Sequence, residues 1–441
     1  MAGKKVLVLG AGLVSRPLVG YLLEQGGFDV TVASRTVSKA EALVNGHENG
    51  EALSLDVSNE EDLEKLITRC DLAVSLLPYT YHVKVAKLCI KHQKSMVTTS
   101  YVSDLMQALD REARDNGVLL LNETGLDPGI DHMSAMRIID KVKSEGGAIK
   151  GFTSYCGGLP APDDNDNPFG YKFSWSPKGV LMAGRNPGLY LKDGKEVHVP
   201  GKELFGSCWE TDIPGAGKFE AYPNRNSIPY INLYGLDGIR NMLRGTLRNK
   251  GWCRTLKAIT DLGLLDDEES KHYEGQSLVD FLAAKSGLVL SSNPREQVAG
   301  RLGLSINDEV VSNLDWLGLF TADPVGIESG TSLDVLCSLM LKKMSYKEGE
   351  KDMIVLHHEF DVEEGTGKGK VVTSTLIAYG IPGGDSAMAR TVSLPAAIAS
   401  RLILEEKIEL KGVHIPVVHE IYGPVLDELS RLGIDCRETE V

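Results

Sequence analysis

The sequence is short of the features that define several large protein classes. Its seven cysteines, Cys70, Cys89, Cys156, Cys208, Cys253, Cys337 and Cys436, are scattered, odd in number and free of any CxxC pair. That argues against a disulfide framework or a zinc site, and for a reduced thiol inventory. No apolar run reaches the length a bilayer core demands, and Met1 to Lys5 is too short for a signal peptide before the first core strand begins. A cytoplasmic protein without a membrane partner is the expectation. Basic side chains are outnumbered, 47 against 61 acidic, for a formal net charge of -14. Nucleic acid is therefore not an expected partner. An anionic small ligand would need arginines gathered locally against that field. Internal repeats and low-complexity segments are also missing.

What is present is a regular rhythm. At 441 residues and 42% hydrophobic content, the chain can bury a sizeable core and should form two or three domains. In the first third, "KVLVLG" (Lys5 to Gly10), "FDVTVAS" (Phe28 to Ser34), "ALSLDV" (Ala52 to Val57), "DLAVSLLP" (Asp71 to Pro78), "SMVTTSY" (Ser95 to Tyr101) and "GVLLLNE" (Gly117 to Glu123) read as buried strands separated by amphipathic helices. Alternation of this kind predicts an α/β fold with a doubly wound parallel sheet, which binds ligands beyond the carboxyl ends of its strands. After Gly146 a strand and a long Pro, Gly, Asp and Asn segment follow. The pattern turns helical from Leu236 to Lys343, and Asp352 to Gly380 reads as a hairpin. A final helix is expected to kink or break at Pro395. The predicted division is a dinucleotide-binding domain at 1–128, onto which 400–441 packs back, a mixed-sheet substrate domain at 129–235 and 345–399, and a helical insertion at 236–344.

The first chemical signal is "VLVLGAGLVSRPLV". Gly10 permits a tight turn out of the first strand, and Gly12 lets backbone approach a pyrophosphate at the next helix's amino end. The third position of the GxGxxG fingerprint holds Ser15, so the motif is incomplete. The second strand ends in Ser34, Arg35 and Thr36, where an NAD site usually carries an acid. A guanidinium beside two hydroxyls suits a 2′-phosphate and favours NADP(H) over NAD(H).

The other strand ends contribute Asp56 and Val57, Ser75 and Pro78, then Thr99, Ser100 and Tyr101, and finally Glu123 before "GLDPGIDH". Thr99 and Ser100 read equally well as turn caps, and Tyr101 as a half-buried aromatic. Asp127, bracketed by Gly125 and Gly129, reads either as a carboxylate aimed at a substrate or as a helix cap ahead of Pro128. Cys156 is either a small buried hydrophobe or an acid/base group. His132, His357 and His358 lack companions at metal spacing and read as structural; no metal is expected.

Six segments together carry a family likeness: "LDPGIDH" (Leu126 to His132), "SYCGGLPAP" (Ser154 to Pro162), "NPFGYKFSWSPKGVL" (Asn167 to Leu181), "AYPNRNS" (Ala221 to Ser227), "LRGTLRNKG" (Leu243 to Gly251) and "DSAMARTV" (Asp385 to Val392). The chain resembles the L-glutamate-forming saccharopine dehydrogenases from its first strand almost to its carboxyl terminus. The resemblance implies a variant Rossmann domain, a mixed-sheet α/β domain and a small helical domain. It also implies a homodimer, and interconversion of saccharopine with L-glutamate and 2-aminoadipate 6-semialdehyde using NADP(H) or NAD(H). Besides Gly10, read above from the turn, cofactor contacts carried over by position fall on Ala11, Gly12, Leu13, Val14, Ser34, Arg35, Thr36, Asp56, Val57, Ser75, Thr99, Ser100, Leu126, Asp127, Pro128 and Ser174. Substrate contacts fall on Ser100, Tyr101, Asp127, Arg225, Arg244, Gly245 and Thr246. Two departures stand out, a first turn of Ala11 to Val14 where the family often has Ser-Gly-Phe-Val, and Asn226 where it often has an acid.

Such a substrate explains the arginines. Saccharopine is a secondary amine with three carboxylates, and Arg225 and Arg244 can each grip one in bidentate fashion. Arg248 and Lys172 read as weaker candidates or as surface charges. Proton transfer at the carbinolamine stage calls for an acid/base group, with Asp127 first and Tyr101 and Cys156 behind it. Alternatives in other classes are an enzyme reducing a different imine, of the carboxynorspermidine or homospermidine-forming kind, and a non-catalytic NADP(H)-binding regulator.

Overall fold

Short buried strands joined by helices build the first of two units into which the chain divides. That unit is Met1–Ala148 with Glu364–Lys368 and Gly384–Thr439, and the second is Ile149–Glu363 with Gly369–Gly383 and Glu440–Val441. The computed structural model describes residues 3–25, 27–289 and 293–440, so the extreme ends of the predicted segments, Met1, Ala2 and Val441, lie outside the described residues.

In the first unit the strands are β1 (Lys4–Leu9), β2 (Phe28–Ser34), β3 (Gly50–Ser54), β4 (Leu72–Ser75), β5 (Ser95–Thr98) and β6 (Leu119–Leu121). A further strand, Gly412–His414, pairs with β6, and the order across the sheet is Gly412–His414, β6, β5, β4, β1, β2, β3. Every pairing is parallel. The order reverses at β1, between β2 and β4, which is the switch point where doubly wound sheets bind ligands. Several strands are shorter than expected. Asp56, Val57, Thr99, Ser100, Tyr101 and Glu123 lie in the connections that follow their strands rather than within them.

A further helix, His419–Arg431, follows the one expected to close the chain, and two expectations about the earlier helix are revised. It runs without interruption from Ala387 to Leu404 through Pro395. It is also 18 residues long with a mean hydropathy of 1.3, enough by length and composition to cross a membrane. Most of it is buried within this unit, and Thr391, Ser393 and Ser400 return their hydroxyls to the carbonyls of Ala387, Ala389 and Ala396 at 2.7–2.8 Å. Small residues and self-satisfied hydroxyls let the helix pack closely against Arg16–Glu24 as a core element.

The second unit carries β7 (Ala148–Pro160), β8 (Gly188–Lys192), β9 (Lys195–Val199), β10 (Trp209–Ile213), β11 (Gly217–Pro223), β12 (Asn241–Arg248), the two-residue strands β13 (Lys271–His272) and β14 (Ser329–Gly330), β15 (Asp352–Glu363) and β16 (Gly369–Tyr379). Its main sheet runs β10, β11, β12, β7, β15, β16, with the β8–β9 hairpin attached to β12. The β12–β7 pairing is parallel, and β10–β11, β11–β12 and β15–β16 are antiparallel, so the sheet is mixed. The helical pattern read from Leu236 is corrected at its start: β12 occupies Asn241–Arg248, and the helices begin at Trp252. Two of them open with capping boxes, Ser277 with Asp280 and Thr331 with Asp334. Their apolar faces share one core with Phe169, Tyr171, Phe173 and Trp252.

Candidate active site

The turn after β1 is built to leave room beside its backbone. Gly10 has φ +111°, and a Cβ there would meet the Leu76 carbonyl at 3.0 Å, whereas Gly12 faces open space. Ser15, fully buried at the amino end of helix Arg16–Glu24, accepts the Gly12 amide at 3.0 Å and donates to the Gly10 carbonyl at 3.3 Å. The residue that spoils the glycine fingerprint thus staples the loop. At the next strand end Arg35 is exposed, and it lies close enough to Asp56 to draw that carboxyl's pKa down, although the larger cause is Asp56's hydrogen bonds from the Ser58 amide and hydroxyl. A pyrophosphate and a 2′-phosphate fit this chemistry: open backbone at a helix amino end, and an exposed guanidinium beside Ser34 and Thr36.

Beyond β4 and β5 the polar groups are knitted together by a residue the sequence reading passed over. His82 accepts or donates to Ser75 Oγ at 2.9 Å through Nδ1, to Ser100 Oγ at 2.8 Å through Nε2, and to Thr98 Oγ1 at 3.3 Å. Burial drives its pKa down to about 4, so the imidazole is neutral at physiological pH. Glu123, another residue given no role, has φ +57° and ties two segments by accepting the Val102 amide at 2.9 Å and bonding His132 Nε2 at 2.7 Å. His132, read from the sequence as structural, is buried in this contact.

This scaffold presents Tyr101 to Asp127. The Tyr101 hydroxyl donates to Asp127 Oδ1 at 2.8 Å, and both side chains are half-buried. The Asp127–Pro128 peptide is cis. Gly129 holds φ +148°, where a Cβ would overlap the Gly125 carbonyl oxygen at 2.0 Å, so the tight return of the chain on itself requires glycine. Asp127 is not the helix cap. The helix starts at Ile130 behind Gly129, and the acid that accepts the Gly129 amide, at 2.6 Å, is Asp131.

In the second unit the nominated cations surround β12. Arg244 is buried, its guanidinium 4.3 Å from the centroid of the Tyr230 ring. Its backbone is fixed by the "PNRNS" loop: the Asn224 amide donates to the Arg244 carbonyl at 2.7 Å, and Ser227 Oγ accepts the Arg244 amide at 2.9 Å. Arg225 sits at φ +57° with its side chain exposed. Asn226, where the family often has an acid, accepts the Ile228 amide at 2.9 Å and closes a local turn. Gly245 has no space for a Cβ, which would meet the Tyr155 ring at 2.9 Å. Cys156 is buried and is the parallel neighbour of Thr246. The Ser174 hydroxyl is buried without a hydrogen-bond partner, an orphan that a ligand oxygen would satisfy.

Lys172 and Arg248 are not the surface charges they could have been. Lys172 is 1% exposed and paired with Asp166 at 2.8 Å and Glu350 at 2.7 Å, which pins the long polar segment. Arg248 is also buried, among three aromatic rings. One further cluster, Cys208, Glu220 and Cys253, brings three ligand atoms within 4.8 Å of one another, but both Glu220 oxygens already accept amides, from Gly251 at 3.0 Å and Cys253 at 2.8 Å.

Residues 6–121 match the saccharopine dehydrogenase NADP-binding domain, and 125–434 match the saccharopine dehydrogenase C-terminal domain. The chain belongs to the saccharopine dehydrogenase family. Within it, the chain is 41% identical to saccharopine dehydrogenase [NADP(+), L-glutamate-forming] of Pyricularia oryzae, with all of both chains covered. Against the mitochondrial alpha-aminoadipic semialdehyde synthase of Bos taurus the identity is 39%, covering 98% of this chain and 47% of that protein. The solved apo structure of the L-Glu-forming saccharopine dehydrogenase from Saccharomyces cerevisiae superposes with a TM-score of 0.90 at 39% identity, covering 100% of both chains. In this saccharopine dehydrogenase family member the doubly wound sheet is the NADP-binding part.

Proposed function

We infer that the protein is an NADP(H)-dependent oxidoreductase of lysine metabolism that interconverts L-saccharopine with L-glutamate and 2-aminoadipate 6-semialdehyde. The observation that carries this reading beyond similarity is the Tyr101–Asp127 hydrogen bond at the carboxyl ends of the nucleotide-binding sheet. An acid held by a phenol is the equipment that imine chemistry needs.

In the synthetic direction the glutamate amine adds to the aldehyde, the carbinolamine loses water, and the protonated imine is reduced; NADPH supplies the hydride when bound. Asp127 relays the two protons that the glutamate ammonium gives up, one to the carbonyl oxygen as the carbinolamine forms and one to its hydroxyl as water departs, and its negative charge favours the iminium. Tyr101 orients that carboxylate and steadies its charged form. Ser100 is positioned by neutral His82, and Cys156 borders Thr246. Arg225 and Arg244 hold substrate carboxylates, Arg244 with its guanidinium over the Tyr230 ring. Gly10 to Val14 would hold the pyrophosphate, Ser34 to Thr36 the 2′-phosphate, and Asp56, Val57, Ser75, Thr99, Leu126, Pro128 and Ser174 the remainder of the cofactor.

A cytoplasmic location and a homodimer complete the proposal. Light scattering of the purified protein tests the last: twice the chain mass supports it, and a single chain mass removes it. For the activity, purified protein is mixed with saccharopine and NADP+ while the absorbance of reduced cofactor is followed. Reduction with NADP+, and slower reduction with NAD+, is expected; silence with both cofactors overturns the assignment and leaves a nucleotide-binding regulator.

A further inference from the structure

Strand alternation places Arg244, Thr246 and Arg248 on one face of β12, with successive members about 6.6 Å apart along the strand. Leu243, Gly245 and Leu247 take the other face, where Leu247 joins the core with Tyr155 and Leu159. Thr246 is only half-buried, so the row opens towards solvent between two buried guanidiniums.

Arg248 is the anomaly in that row. It is 5% exposed, and among the described residues no carboxylate lies within ion-pair distance. Its Nη1 donates to the Leu247 carbonyl at 2.8 Å, and its Nε is buried with no acceptor. Tyr171, Trp252 and Tyr222 surround the guanidinium with ring centroids at 5.0, 5.5 and 5.9 Å. Ring faces attract a cation, but they do not accept its in-plane N–H groups, which need oxygen. The acid directly across the ladder, Glu220, does not serve: it is Arg248's register partner, yet both its oxygens are turned to the amides of Gly251 and Cys253. Beside the guanidinium, the Trp252 indole N–H is a second buried donor without an acceptor. A buried guanidinium whose Nε has no acceptor and a buried indole N–H without one point to an anion that offers more than one oxygen.

We propose that Arg248, with the Trp252 indole N–H and the Thr246 hydroxyl, forms a subsite for one carboxylate of the substrate, additional to those held by Arg225 and Arg244. The proposal rests on the functional reading above, in which a tricarboxylate meets two nominated guanidiniums and one carboxylate is left without a clamp. Arg248 is then a specificity residue for that third carboxylate, and the aromatic box keeps its fork rigid and dry.

Steady-state oxidation of saccharopine by Arg248→Met and Arg248→Lys tests it. The expected result is a KM for saccharopine raised about tenfold or more in Arg248→Met, with the KM for NADP+ unchanged, kcat little altered, and part of the loss recovered in Arg248→Lys. A purely structural arginine would instead lower the melting temperature and kcat while leaving the KM for saccharopine alone, and that result overturns the proposal. A second arm needs no turnover: glutarate, a dicarboxylate, is added and thermal unfolding is followed. A smaller glutarate-induced rise in melting temperature for Arg248→Met than for wild type supports the subsite, and equal rises contradict it. If wild type fails to oxidise saccharopine, the functional reading falls, and the glutarate arm alone decides whether the anion subsite exists.

Discussion

The two units handle buried polarity in opposite ways. In the first, the polar side chains at the strand ends complete one another: His82 with Ser75, Thr98 and Ser100, Glu123 with His132 and the Val102 amide, Tyr101 with Asp127. In the second, cationic groups along β12 are laid against rings, Arg244 on Tyr230 and Arg248 among Tyr171, Tyr222 and Trp252. The first arrangement is a preorganised frame that fixes proton-transferring groups without help from a ligand. The second is a set of cations oriented by ring faces. Chemistry and binding are thereby assigned to different units, and the assignment can be broken experimentally.

The largest effect should come from the first unit. Asp127→Asn keeps the shape and removes the base, and kcat should fall by about 10²–10⁴-fold, with the melting temperature nearly unchanged; stopped-flow or steady-state rates measure it. Next, Arg244→Met removes a charge-assisted contact worth about 1.5–3 kcal/mol. The KM for saccharopine should therefore rise by roughly ten- to a hundredfold, with a smaller change in kcat. An effect of the opposite pattern, kcat lost and KM kept, would dissolve the division between the units.

Arg35→Ala sharpens the comparison within the first unit. Arg35 is exposed and its partner there would be a ligand phosphate, so the KM for NADP+ should rise by about tenfold while the KM for NAD+ stays put. Equal preference in wild type and variant would remove the phosphate clamp. The smallest effect concerns acid stability. The His82 imidazole is held at about 4, below its ordinary value of 6.5, by burial. Between those two values the unfolded chain takes up a proton that the folded one refuses, so the stability this residue contributes is complete above pH 6.5 and is lost as pH falls towards 4. His357 behaves alike, with burial also pushing it down to about 4. Replacing His82 with Gln should lower the melting temperature at pH 7 and flatten its decline between pH 6.5 and 4, seen in thermal melts across that range.

Much of this was legible in the chain. The parallel sheet could be read because six apolar runs alternate with amphipathic helices, and the first turn because Gly10 and Gly12 follow a buried strand. Both are local patterns. What escaped depends on contacts between residues distant in sequence. His82 meets Ser100 eighteen positions away, and nothing in "YTYHVKV" announces it. The burial of Lys172 and Arg248 was invisible for the same reason, since their surroundings come from Glu350 and from rings on separate segments. β12 was misread as part of a helical stretch because Arg244, Thr246 and Arg248 put polar residues on a face that apolar alternation would normally mark. The Ala387–Leu404 helix continues through Pro395 because tertiary packing outweighs the local penalty.

The division of labour is tested most directly by measuring, in parallel, the saccharopine dissociation constant and the oxidation rate of Asp127→Asn in the presence of NADP+. The account predicts a dissociation constant close to that of wild type and a rate lower by at least about a hundredfold. A variant that turns over saccharopine at the wild-type rate, or that loses binding and rate in equal measure, would contradict it.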